Sequence, residues 1–184
     1  NDYLQELTEV NFSDDAIQTL IKKLFCSKHT EIEKVQIAFN FVRDEIAHSW
    51  DIQSKVVTCT ASEVLRQKQG ICYAKSNLLA ALLRSQGIPT GFCYQRLMLF
   101  DTPEKGYSLH ALNAVFIREL NKWIRLDARG NKEGVNAEFS IFEEKLAFNV
   151  NSHFKEVDYP MIYVKPNRKT IEILKESDDA LVMY

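Results

Sequence analysis

Cysteine is scarce in this chain, and what there is stands apart. Four cysteines occur in 184 residues, Cys26, Cys59, Cys72 and Cys93, with no CxxC pair and no HxxxH anywhere. A disulfide framework and a structural zinc site are therefore not expected, and no metal or other cofactor is called for. Each cysteine is left to be a small buried apolar residue or a reactive thiol. Glycine (6) and proline (4) are few, which excludes collagen-like and low-complexity chains. Charge of one sign is lacking too. Lys and Arg number 23 against 25 Asp and Glu, a net charge of −2, so neither nucleic acid nor an anionic membrane surface is an expected partner. The longest apolar runs, such as Leu97-Met98-Leu99-Phe100, are far too short to span a bilayer. No basic segment followed by an apolar one opens the chain, so a cytoplasmic location is expected. The start at Asn1 instead of Met keeps a removed targeting segment as the alternative.

Hydrophobic residues make up 46% and charged residues 26%, the balance of a globular protein with a core. A chain this long buries roughly 70% of its unfolded surface, and it shows neither repeats nor a Gly/Ser/Pro linker, so residues 1–184 are expected to form one domain. Its oligomeric state is not legible.

The first half has helical periodicity. Ser13 is a plausible N-cap, with Asp14 and Asp15 in the first turn and Ile17, Leu20, Ile21 and Leu24 on one face. Thr30 with Glu33, and Thr60 with Glu63, have the capping-box pattern. The first precedes a stripe of Ile32, Val35, Phe39, Val42 and Ile46; the second starts a short helix that Gly70 is expected to end. Residues 48–58 look like a loop. From Ile71 to Gln86 apolar residues (Ala74, Leu78, Leu79, Ala81, Leu82, Leu83) cover too broad an arc for a surface helix, so this helix is expected to be central and buried, stopped by Gly87 and Pro89. The second half changes period. Residues 91–100, 110–117 and 122–128 read as strands, with 101–109 as a loop and Arg118-Glu119 as a hairpin break. A further strand is expected near 161–165 and a last helix near 168–177. Helices followed by an antiparallel sheet make an α+β fold.

Cys72 stands out by position, in the first turn of the central helix directly after Gly70-Ile71. A helix N-terminus stabilises an anion through its free N–H groups and its dipole, which favours a nucleophilic sulfur. His110 follows 38 residues later at a strand start, and Asp127 lies 17 residues further, at the end of the next strand. A thiol nucleophile needs a base, and the base needs an acceptor that fixes its tautomer. If the two strands turn between Arg118 and Glu119, His110 and Asp127 face each other directly, with Cβ atoms about 5 Å apart.

The stretches Ala61-Ser62-Glu63-Val64-Leu65, Gly70-Ile71-Cys72-Tyr73-Ala74 and Leu82-Leu83-Arg84-Ser85-Gln86-Gly87-Ile88-Pro89 resemble the transglutaminase-like superfamily. So do His110-Ala111 and Trp123-Ile124-Arg125-Leu126-Asp127. The resemblance covers roughly residues 30–130 and implies a papain-like core with a Cys-His-Asp triad: Cys72 the nucleophile, His110 the base, Asp127 its orienting acid. Two positions depart from the family pattern. Leu112 stands where an aromatic residue often follows His-Ala, and Asp127-Ala128-Arg129 replaces Asp-Pro-Thr. The length leaves no room for the β-sandwich and β-barrel domains of animal transglutaminases, and neither an acidic loop like their calcium sites nor the CxxC pairs of peptide N-glycanases is present.

Three aromatic residues are candidates for substrate contact: Trp50 in the loop before the active helix, Tyr73 beside the nucleophile, and Tyr107 in the loop before His110. Trp123 is expected in the core beneath the triad, His29, His48 and His153 in surface or capping roles, and Cys26, Cys59 and Cys93 as packed thiols. The expected activity is acyl transfer from a peptide or protein amide through a thioester, hydrolysis being favoured over cross-linking. The competing class is a binding or scaffold module that keeps the fold without turnover.

Overall fold

The computed structural model describes residues 2–99 and 102–183. Helices come first: α1 (Asp15–Leu24), α2 (Glu31–Glu45), α3 (Ala61–Gln67) and α4 (Cys72–Ser85). Two-residue strands β1 (Ala47–His48) and β2 (Gln69–Gly70) pair in parallel between them. Then follow β3 (Thr90–Met98), β4 (Tyr107–Ile117), β5 (Lys122–Leu126), the short β6 (Val157–Asp158) and α5 (Arg168–Glu176). The sheet is antiparallel with order β5-β4-β3-β6, the expected α+β arrangement.

Local chemistry accounts for the helix starts. Both capping boxes form: Thr30 and Thr60 accept from the N–H of Glu33 and Glu63, whose carboxylates accept in return from the cap N–H groups. At α1 the cap is Asp14, not Ser13, its carboxylate accepting from the Ala16 N–H at 2.9 Å. Helix α3 does not run to Gly70. It ends at Gln67, with Lys68 in the left-handed region (φ 55°), and this frees Gln69-Gly70 to pair with β1.

Helix α4 is buried on nearly every side, with α2, α3 and β4 packed around it. Its far end is held by Arg84, 2% exposed, which donates to the carbonyls of Thr90 (3.0 and 2.8 Å), Gln5 (2.7 Å) and Val164 (2.6 Å) and stacks on Phe92. One guanidinium thus joins the amino-terminal segment, the start of β3 and the chain after β6. Gly87, at φ 71°, makes the turn that brings β3 back along the helix.

The second half departs from expectation in detail. The β4–β5 turn is longer than a two-residue break, a 3-10 turn over Arg118–Leu120 followed by Asn121 at φ 49°. Its register pairs Asn113 with Leu126 and Val115 with Ile124. Extended, that ladder sets Leu112, not His110, across from Asp127. Strand β4 also begins early, at Tyr107, so only part of 101–109 is a loop. Phe100 and Asp101, expected at the strand end and the loop start, lie outside the described residues. The strand expected near 161–165 is reduced to a single bridge between Phe92 and Tyr163. Trp123 does not lie under His110. It stands four residues along β5 from Asp127, packed with Tyr3 and Phe116 near a small cluster of Cys93, Leu112 and Ala114. Among the described residues no helix is long and apolar enough to cross a membrane.

Replacing Arg84 by Met keeps the packing volume but strands three carbonyls. A loss of about 3 kcal/mol or more in urea-unfolding free energy is expected; a loss below about 1 kcal/mol would show that water takes over these bonds.

Candidate active site

Cys72 is the first residue of α4, and no side chain caps that helix end. The cap residue, Ile71, offers only backbone, and no acidic residue lies in the first turn. The N–H groups there remain for an outside acceptor, and the dipole favours a negative one. Gly70 lets this end sit close to its surroundings. A Cβ there would lie 2.9 Å from Thr58 Oγ1 and 3.2 Å from the Ala74 methyl.

His110 reaches Asp127 diagonally across the hairpin. Nε2 and Asp127 Oδ2 are 2.8 Å apart, and both side chains are nearly sealed from solvent, at 5% and 1% exposure. Diagonal neighbours lie within reach of long side chains, so the two-residue offset does not separate them. Two N–H groups hold the carboxylate in place, Arg129 on Oδ1 (3.2 Å) and Ala147 on Oδ2 (3.1 Å). With Nε2 taken by Asp127, Nδ1 is the nitrogen left for the Cys72 sulfur, which lines the same cavity as the ring and helps raise its pKa. Phe148 stands edge-on to the imidazole, ring centres 5.0 Å apart. Burial pushes the imidazole pKa down, but the Asp127 charge and hydrogen bond, with the Cys72 sulfur, outweigh it and raise it to about 10.

A layer of charge lies beside this group. Arg129, 6% exposed, makes a two-pronged ion pair with Asp51, which Lys132 joins at 2.8 Å. Burial raises the Asp51 pKa, yet these hydrogen bonds prevail and hold it at about 2. Lys75, one turn along α4 from Cys72 and 1% exposed, donates to the Ile46 carbonyl. Burial and then the Arg129 charge lower its pKa to about 7, against the pull of Asp127, Asp51 and Asp44.

A cavity of about 570 Å³ opens above Cys72 and His110. Leu97, Leu109, Phe148 and Phe154 give it an apolar wall; Asn149, Asn151 and Glu156 give it a polar one. Trp50 lines it. Tyr73 does not: it packs against the core on the helix side, and burial, then the Cys72 charge, push its hydroxyl pKa up. Tyr107 does not line it either. As the first residue of β4 it donates to the Phe154 carbonyl (2.8 Å) under Arg96, so it braces the wall that Phe154 forms.

Arg129, Phe148 and His48 join the cleft without standing out in the sequence. Arg129 and Phe148 carry no local signal, since a loop with little regular structure delivers Phe148. His48 is buried and lines the cavity, contrary to the surface role expected of it. Its pairing with Gly70, two residues before Cys72, draws it inward. Of the other cysteines, Cys26 is exposed, not packed; Cys59 and Cys93 are buried, and burial raises their thiol pKa values to about 11 and about 12. Among the described residues no cluster of three or more His, Cys, Asp or Glu is placed to hold a metal ion.

Residues 18–128 match the profile of the Transglutaminase-like superfamily, more than half of the chain, and the chain belongs to that superfamily. Among solved structures it is similar to a candidate cysteine protease from Cytophaga hutchinsonii, with a TM-score of 0.54 and 19% identity over 69% of this chain and 40% of that one. It is also similar to a structure described as a TGase, with a TM-score of 0.50 and 21% identity over 74% of this chain and 37% of that one. The chain therefore spans about two fifths of those structures. At such identities the likeness establishes the fold and nothing finer. No curated protein matches the chain.

The raised His110 pKa has a sign that can be checked. A folded value of about 10 lies above the ordinary 6.5, so the folded state holds the proton more tightly. The resulting stability is fully present below about pH 6.5 and is lost as pH rises through about 10. The stability difference between wild type and His110→Gln, from urea unfolding, is expected to shrink across that window; a constant or growing difference would contradict the ion pair.

Proposed function

We propose that this domain is a thiol-dependent acyl-transfer enzyme that cleaves an amide, on a peptide or protein, by hydrolysis. The observation that carries the reading is the convergence of three groups: a sulfur at an uncapped helix N-terminus, an imidazole that lines the same cavity, and a buried carboxylate behind it, 2.8 Å from that imidazole.

His110, made more basic by Asp127, holds the thiol proton on Nδ1 as an imidazolium, and the Asp127 carboxylate stabilises that charge. The sulfur attacks the amide carbonyl, and the carbonyl electron pair moves onto oxygen. The Cys72 backbone N–H, left unpaired by the helix, donates to that oxygen. Collapse breaks the C–N bond, His110 passes its proton to the leaving amine, and a thioester remains. Water activated by His110 then attacks the thioester and releases the acid. Capture by an amine would follow the same path to the thioester, and the difference lies only in the acceptor. The partly polar, solvent-reached cleft supports water as that acceptor.

Trp50 on the cavity lining is a substrate wall in this reading. Tyr107 acts on substrate only through Phe154, and Tyr73 has no contact with it.

Cys72→Ala is expected to abolish turnover, a fall on the order of 10⁴-fold or more, with little change in thermal stability. Asp127→Asn should cost less than His110→Ala, because the base remains but loses its orientation. Release of amine from a panel of peptides and amides provides the assay. Undiminished activity in Cys72→Ala would overturn the assignment. Product partition in the presence of a primary amine separates hydrolysis from transamidation.

A further inference from the structure

His48 occupies a place in the cleft that the triad leaves unexplained. Strand β1 pairs with β2 so that His48 lies beside Gly70, and flanking backbone bonds lock the pairing, Ala47 N–H to the Lys68 carbonyl (2.9 Å) and Ser49 N–H to the Gly70 carbonyl (3.2 Å). The imidazole is thus anchored next to the chain that leads into Cys72. It is 6% exposed, and it lines the same cavity as Cys72 and His110.

Its hydrogen-bonding capacity is not consumed by the fold. Nδ1 is shut off from solvent and has no partner. A buried polar atom left so in a native fold calls for a reason, because a residue kept for stability would have it paired. Charge is also kept off the ring. Burial first, then Arg129, with Lys75 and His110 adding to it against Asp51, push its pKa well below 6.5. The ring is therefore neutral at pH 7, with one N–H and one lone pair. It cannot compete with His110 for the thiol proton, and it can donate a hydrogen bond without carrying charge.

We propose that His48 is a further catalytic residue, which donates the N–H of Nε2, the ring nitrogen that is not sealed off, to the acyl oxygen as negative charge develops there during attack by Cys72. It supplies the second donor beside the Cys72 backbone N–H, from the helical side of the cleft, across from His110 on the sheet. The proposal rests on the acyl-transfer reading above, since it concerns the oxygen formed in that step. Trp50 lines the cavity as well, two residues on, but it is less buried and belongs to the wall.

Two probes separate this role from a structural one. With p-nitrophenyl acetate the sulfur forms a bond to the carbonyl carbon and the electron pair moves onto oxygen. Collapse then breaks the C–O bond and releases p-nitrophenolate. With iodoacetamide the sulfur displaces iodide from carbon, and no oxyanion forms. Both rates are measured at Cys72 in the full chain, in a Cys26→Ser background that removes the exposed thiol, by p-nitrophenolate absorbance and by mass spectrometry. His48→Phe keeps a planar ring and removes the donor. It is expected to slow acylation about 100-fold and to leave alkylation within about twofold. His48→Gln restores an N–H donor and should recover at least about tenfold of the acylation rate. Should His48→Phe fail to fold, as judged by circular dichroism, His48→Leu reads the same ratio. Wild-type acylation in the donorless variant, or an equal fall in both rates, would overturn the proposal. Failure of the underlying reading looks different: wild-type Cys72 would be alkylated but never acylated.

Discussion

A helix buried around nearly its whole circumference can meet anything outside the core only at its ends, and α4 is such a helix. Everything else in the fold is arranged around that constraint. Its carboxyl end is closed by Arg84, whose guanidinium gathers carbonyls from three distant segments, and by the Gly87 turn. Its amino end is left without a side-chain cap. The unpaired N–H groups of that end, together with the one sulfur placed among them, become the chemical feature of the cleft. Filling the interior with Leu78, Leu79, Leu82 and Leu83 contributes the stability that lets one end remain unsatisfied.

The same economy of partners runs through the buried charges. Asp127 accepts from His110 and from two backbone N–H groups, and Asp51 is shared by Arg129 and Lys132. Removing His110 would leave the buried Asp127 charge stranded, and removing Asp51 would strand that of Arg129, which is costly for groups so far out of water. Lys75 is the exception in degree, with the Ile46 carbonyl as its hydrogen-bond partner and Asp127, Asp51 and Asp44 acting on it electrostatically. By binding Ile46 it ties α4 to the segment that carries His48 and Trp50. The cleft is therefore built from two sides on one helix, with His110 and Asp127 delivered by the sheet.

What the sequence made legible were features governed by neighbours in the chain. Thr30/Glu33 and Thr60/Glu63 form their capping boxes because those contacts span three residues, and α4 is recognisable because its apolar arc is too wide for a surface. Cys72, His110 and Asp127 could be singled out by position on such elements and by family resemblance. Legibility failed where long-range geometry decides. The 3-10 turn with Asn121 at positive φ moves the hairpin register by two residues, so His110 meets Asp127 diagonally. Tyr107 sits in a stretch of loop composition, yet β3 continues the ladder down to the Met98–Tyr107 pair. His48 gave no signal, since its burial comes from a two-residue pairing with Gly70 that no periodicity announces. Arg129 and the 139–150 segment enter the site through contacts with Asp51 and Asp127, both distant in sequence from at least one partner.

The central claim is that the sulfur of Cys72 carries the acyl group between attack and release. Mass spectrometry of the peptide containing Cys72, after acid quenching of the enzyme during turnover of an amide or peptide library, tests it most directly. The account predicts an acyl adduct on Cys72 that hydroxylamine removes and that is missing when His110 is replaced by Ala. Product formation without any adduct at Cys72, or an adduct that forms equally on Cys26, would contradict it.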